Sequence, residues 1–185
     1  MLTIFFDSIS HPFVRVVARK SNRYGETVRN DDQTAQSRDH ILASLPPAPQ
    51  PVALYTAVRE WGGLLYVAGQ TPHVQGELEH RGRVGTEVSV VDGRHMARRA
   101  ALNVVAALQH HLGTLDQLEG VLSLTGFVAC AADFTDHPAV INGASELFVE
   151  LFGQSGVHAR AAVGVSSLPG GAPVEISVIA ALRQS

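Results

Sequence analysis

Gly156-Val157-His158-Ala159-Arg160-Ala161-Ala162-Val163-Gly164-Val165-Ser166-Ser167-Leu168-Pro169-Gly170-Gly171-Ala172-Pro173-Val174-Glu175-Ile176 is the stretch on which the fold turns. Ala161 to Val165 suits a short strand, Leu168-Pro169-Gly170-Gly171 has turn chemistry, and Val174 to Leu182 suits a second, apolar strand. In that last strand Val174, Ile176 and Val178 point one way, and Glu175, Ser177 and Ile179 the other. Glu175 is therefore expected near the sheet's second face, partly desolvated, where an unpaired carboxylate is costly. Either it joins a structural ion pair, or its pKa rises and it becomes a usable general acid or base. Arg160 opens the preceding strand among alanines that leave room around it. Its planar fork can hold a carboxylate ligand, or it can pair with Glu175. Neither residue is specific alone; together, on successive strands joined by a Pro-Gly turn, they form a constellation.

Upstream the chain alternates strand and helix signals. Val52 to Val58 reads as a strand, Gly62-Gly63 as a turn, and Leu64 to Ala68 as a buried strand. Gly69 to Thr86, rich in glycine, histidine and charge, reads as a loop holding a short strand or hairpin. Asp92 can cap a helix to about Leu112, with Met96, Ala100, Val104, Leu108 and Leu112 four apart and Gly113 as its stop. Val121 to Ala129 is the next strand. Asp136 opens a helix to about Phe152, with Val140, Ala144, Leu147, Phe148 and Leu151 on one side. The order β-β-α-β-α-β-β predicts an α+β sheet with two helices on one face.

Residues 46–185 are expected to form the domain, because Pro46, Pro47, Pro49 and Pro51 stop any helix and impose an extended linker. Residues 1–45 read as an N-terminal extension, loosely ordered with a short helix from Thr34 to Leu45. Met1 to Phe6 is too short for a secretory core and lacks a basic lead. Asp7 and Glu26 weaken an organelle-targeting reading of Arg19, Lys20, Arg23 and Arg29.

The chain has 185 residues, enough for one ordinary domain but not two. A formal net charge of −3 disfavours dedicated nucleic-acid binding. No apolar run approaches the roughly 20 residues of a membrane span. The single cysteine, Cys130, closes an apolar run, reads as buried, and suits a reducing, cytoplasmic compartment. His73, His80, His95, His110, His111, His137 and His158 show no metal-ligand spacing, so no metal is expected. No phosphate-loop, nucleotide-binding or Gly-x-Ser-x-Gly pattern is present.

The Arg160 strand, the Leu168-Pro169 turn and the Val174-Glu175-Ile176 strand together resemble the C-terminal signature of the Rid/YjgF reactive-intermediate deaminase family (RidA-like). Tyr55 precedes Gly69-Gln70-Thr71-Pro72 at the spacing that family keeps between its N-terminal Tyr and its Gly-Gln-x-Pro turn. Phe134 to Phe148, with Asn142 and Glu146, is similar to its Asn-containing second helix. The likeness spans about Val52 to Leu182. Leu45-Pro46-Pro47-Ala48-Pro49 and Val140-Ile141-Asn142-Gly143-Ala144-Ser145 look like a divergent branch, often labelled endoribonuclease-like or chorismate-mutase-like on fold grounds.

The resemblance implies a homotrimer whose sheets form an inner barrel, with ligand clefts between subunits and no cofactor. It implies that Arg160 holds a substrate carboxylate and that Glu175 positions water against an imine carbon. Tyr55, Asn142 and the position of Ala162 would line the cleft. The implied reaction turns 2-aminoacrylate-type enamines and imines into a 2-keto acid and ammonia. The implied partners are a small carboxylated imine or keto acid and further copies of this chain, with neither nucleic acid nor membrane. Two departures stand out: Ala161 and Ala162 replace the small hydroxyl or thiol residues that often follow the Arg, and Ser177 replaces a second acid. A carboxylate-binding or sensing trimer without turnover is the alternative, and an endoribonuclease a more distant one.

Overall fold

In the computed structural model, residues 31–48 and 53–184 are described. The apolar and Arg-rich stretches read in residues 1–30, and Pro49, Pro51 and Val52 of the linker, lie outside them. The elements run α1 (Asp31–Ala43), β1 (Val58–Trp61), β2 (Leu64–Gln70), α2 (Val90–Leu112), β3 (Leu118–Ala129), α3 (His137–Phe152), β4 (Ala159–Val165) and β5 (Val174–Leu182). The five strands make one sheet in the order β1-β2-β5-β3-β4. β3 and β4 are parallel, while β5 is antiparallel to both β2 and β3.

The helices form where the 3.6-residue period placed them. Met96, Ala97, Ala100, Ala101, Val104 and Leu108 bury one side of α2; Val140, Ile141, Ala144, Leu147, Phe148 and Leu151 bury one side of α3. Gly113 (φ 77°) ends α2 as expected. Its N-cap is Ser89 and not Asp92. The Ser89 hydroxyl accepts from the Asp92 amide, and the chain is already helical at Val90. α1 starts three residues before the expected Thr34, ends at Ala43, and packs against α3.

Where α2 crosses α3 the helices approach so closely that a Cβ on Gly143 would strike the backbone carbonyl of Arg94. Salt bridges from Arg94 to Glu146 (2.6 Å) and from Arg98 to Glu150 (2.7 Å) flank the crossing. A backbone oxygen cannot step aside, so Gly143→Ala is expected to cost about 3 kcal/mol and lower Tm by about 10 °C. Thermal unfolding of the two chains checks this.

Two strand readings need correction. The first strand is Val58–Trp61, and of the expected Val52–Val58 the described residues 53–57 are bends or irregular. Gly62 and Gly63 (φ 59° and 76°) close a two-residue turn, so pairing starts at Trp61↔Leu64 and runs back to Val58↔Val67. The pairing closes with the Ala68 amide donating to the Ala57 carbonyl (2.9 Å), and residues 53–56 before it form no strand. The second concerns the last two strands. β4 and β5 are not neighbours, because β3 lies between them. Pro169–Gly171 is one turn of a longer connection over the end of β3.

Candidate active site

The side-chain alternation read along the last strand holds. Val174, Ile176 and Val178 are buried against the helices, whereas Glu175, Ser177 and Ile179 lie half-covered on the open face. Glu175 rests on β2 at Gly69, where any side chain would occupy the space of its carboxylate. That contact explains the glycine of Gly69-Gln70-Thr71-Pro72. Burial pushes the Glu175 carboxyl above the usual carboxylate range. The group therefore holds a proton more readily than a surface acid does.

A cavity of about 830 Å³ opens beside this carboxylate. Tyr55, half-exposed in the bends before β1, lines it with Gln70, His73 and Pro169. Asn103, buried in α2, fixes one rim: its amide donates to the carbonyls of Thr71 (2.8 Å) and His73 (2.9 Å). The His73 ring meets the Thr71 hydroxyl at 2.7 Å. Asn103 and His73 went unnoticed in the sequence as site residues. A polar residue inside the apolar run Ala100–Leu108 was the available signal for Asn103.

Arg160 lies elsewhere. It pairs in register with Leu124 on the helix-covered side of the sheet, and its Nη1 donates to Asn142 Oδ1 (2.8 Å) and Ser145 Oγ (3.0 Å) on α3. Glu175 pairs in register with Phe127 on the other face. With β3 between them, Arg160 and Glu175 stand two strand spacings apart, about 10 Å, are offset by three residues along β3, and lie on opposite faces of the sheet. The ion pair considered from the sequence does not form, and within one copy the two residues make no joint site. Ala162 follows Arg160 on the same side, in register with Gly126 and packed on the core. Thus Arg160, Asn142 and Ala162 gather in one place, Tyr55 and Glu175 in another. Glu146 joins neither, being held by Arg94.

Two residues support Arg160 that the sequence did not single out for this role. His158 Nδ1 donates to the Gly156 carbonyl (2.6 Å), which leaves Nε2 to accept from the Ser145 hydroxyl (3.1 Å). The Ser145 oxygen then accepts from Arg160. Burial, opposed by the Gly156 bond and assisted by the Arg160 charge, lowers the His158 pKa below its ordinary value of 6.5. The unfolded chain therefore binds the extra proton first. The stability from neutral His158 is complete above pH 6.5 and is lost as pH falls through the depressed folded value. Thermal unfolding of the native chain is expected to show this loss below pH 6.5, and His158→Asn to flatten it.

Cys130 is buried as expected, its Sγ 3.4 Å from His137 Nε2. Among the described residues no three His, Cys, Asp or Glu side chains converge to hold a metal, and no helix is long and apolar enough to cross a membrane.

Residues 43–181 match the family described as YjgF/chorismate mutase-like, "putative endoribonuclease". The chain is 40% identical over 152 residues to Protein TCP17 of Trypanosoma cruzi, covering 82% of this chain and 95% of that protein. It is 29% identical over 147 residues to a 2-iminobutanoate/2-iminopropanoate deaminase of Dermatophagoides farinae, covering 77% of this chain and 96% of that one. The solved structure of Atu1372 from Agrobacterium tumefaciens superimposes with a TM-score of 0.72 at 37% identity, over 82% of this chain and 96% of that one.

Proposed function

The chain belongs to the YjgF/chorismate-mutase-like (Rid) family, and on that premise we propose that it hydrolyses small enamine and imino acids of the 2-aminoacrylate type to a 2-keto acid and ammonia. One observation carries the reading: Glu175 stands half-buried at the cavity wall with its pKa raised, as a carboxyl that must take and return a proton should. The similarity to a relative named as an imine deaminase supports the same chemistry.

The reaction needs few groups. Glu175 accepts a proton from water as the water oxygen bonds to the imine carbon and the C=N pair moves to nitrogen. With the imine nitrogen protonated at the outset, the product is a neutral carbinolamine. Glu175 returns its proton to that nitrogen, and the C–N bond breaks as the hydroxyl electron pair closes the carbonyl. The hydroxyl proton passes to Glu175 and on to the departing ammonia. Ammonia leaves, and the carbon keeps the new oxygen as a carbonyl. A carboxylate anchor that holds the imine carbon over the acid supplies most of the remaining advantage by positioning.

Arg160, braced by Asn142 and Ser145, is that anchor, presented to the cleft of a neighbouring copy. Opposite faces of one sheet cannot converge on one small molecule, but adjacent copies in a ring can. The sheet's open face, with Tyr66 (42% exposed), Leu122 (47%) and Val163 (40%), offers apolar surface for such self-association into a homotrimer.

Purified full-length chain is expected to speed keto-acid release from an imino acid generated in situ. No acceleration with any carboxylated imine would rule the hydrolase out. The departures after Arg160 favour one second reading, a carboxylate-binding trimer without turnover. Ser177, where a second acid is usual, donates its hydroxyl to the Val67 carbonyl (2.9 Å) and supplies no acid to the cleft. Calorimetry with 2-keto acids separates the two, because a binder tolerates Glu175→Gln and a hydrolase loses its rate.

A further inference from the structure

Within one copy, the cavity at Glu175 is larger than its smallest substrates require. A 2-iminopropanoate fills on the order of 100 Å³, the room of three or four waters, against about 830 Å³ of cavity. Part of the wall comes from the segment before the sheet, where Pro46, Pro47 and Ala48 line the cavity together with Tyr55. The family match begins only at residue 43, so most of the helix that delivers this segment lies ahead of it.

That segment is anchored. Ile41 of α1 is buried in the core, Leu42 and Leu45 pack against it, and the Ser37 hydroxyl donates to Glu150 on α3 at 2.6 Å. Ser44 Oγ donates to the Ile41 carbonyl as the helix ends. Each proline fixes its own φ, so the strap leaves α1 as a stiff wall and loses little freedom when a ligand meets it. Among the described residues lining the cavity there is no lysine, no arginine and no acid but Glu175. At the strap itself an apolar substrate side chain would meet proline rings, a tyrosine ring and a methyl, and a charged one no charged side chain of these four residues.

We propose that Pro46, Pro47 and Ala48 form, with Tyr55, a side-chain pocket of the same cleft. It selects imino acids with apolar side chains longer than ethyl, of the branched-aliphatic or aromatic class. The reacting end of this substrate rests on the hydrolase reading above; its side-chain end rests on the strap. Pro46 and Pro47 are specificity-determining residues and touch no reacting atom.

The test compares imines generated in situ from L-alanine, L-leucine and L-phenylalanine by an amino-acid oxidase, with keto-acid release followed on the full chain. The leucine- and phenylalanine-derived imines are expected to show kcat/KM about tenfold or more above the alanine-derived one, the scale set by a few buried methylenes. In the double variant Pro46→Gly/Pro47→Gly that ratio falls towards one through a higher KM for the longer substrates, with their kcat retained. Ala48→Trp, which crowds the pocket instead of loosening it, lowers the same ratio and serves if the glycine variant does not fold. A preference for the alanine-derived imine, or a ratio the same in all folded chains, overturns the strap and leaves the hydrolase standing. If no imine is hydrolysed, the hydrolase reading fails alone. The strap is then decided by calorimetry with 4-methyl-2-oxopentanoate and pyruvate: tighter binding of the former, weakened in the variants, upholds it, and equal binding overturns it.

Discussion

Arg160→Ala is expected to lower kcat/KM for a carboxylated imine about a thousandfold, since it removes the charged group proposed to anchor the substrate and align the imine carbon with its acid. The side chain is held in place before substrate arrives. Asn142 accepts from Nη1 at 2.8 Å, and Ser145, itself bonded to His158, accepts at 3.0 Å. Arg160→Lys keeps the charge but loses the planar fork. Nη1 alone is tied to α3 and leaves the other guanidinium nitrogens for a carboxylate. Lysine has one nitrogen for both tasks, so most of the loss should remain. Stability should scarcely change in either variant, because Arg160 is exposed on an edge strand. Steady-state rates with thermal unfolding check both halves of the expectation. A large fall in Tm would show that the residue serves the fold and not the substrate.

Glu175→Gln should have as large an effect on turnover, about a thousandfold, by removing the proton acceptor while keeping shape. Its effect on stability should run the other way. Burial raises the carboxyl's pKa in the folded chain, so the folded state gains from the proton. The contribution is complete below the unfolded value of 4.5 and is lost as pH rises through the raised folded value. At neutral pH the charged carboxylate is thus a burden, and an uncharged amide of the same size should raise Tm by a few degrees. Near pH 4 the difference should vanish. A residue that loses activity and gains stability on neutralisation is a functional group placed at a cost to the fold.

Much of this arrangement was readable from local pattern. The period of two along Val174–Leu182 put Glu175 on the half-covered face, and the period of 3.6 along α2 and α3 gave their buried sides. The separation of Arg160 from Glu175 was not readable. It follows from β5 inserting between β2 and β3, a long-range pairing with no local mark, and two strands adjacent in sequence suggested adjacency in space. The place of β1 depended on the register set by the Gly62-Gly63 turn. The bracing of Arg160 joins Ser145 on α3 to His158 before β4, so neither residue alone announces it. Asn103 differs, since its polarity within an apolar helical run was visible but could not say which loop it would hold.

In the proposed hydrolase the anchor and the acid of one site come from two copies of the chain. Mixing two inactive proteins, Arg160→Ala and Glu175→Gln, after unfolding and joint refolding tests it most directly. If copies assemble at random around a ring, one interface in four receives an intact Arg160 from one copy and an intact Glu175 from the other, so activity should return to roughly a quarter of the native value. A mixture as inactive as its components, in proteins shown to have exchanged subunits, would contradict the claim.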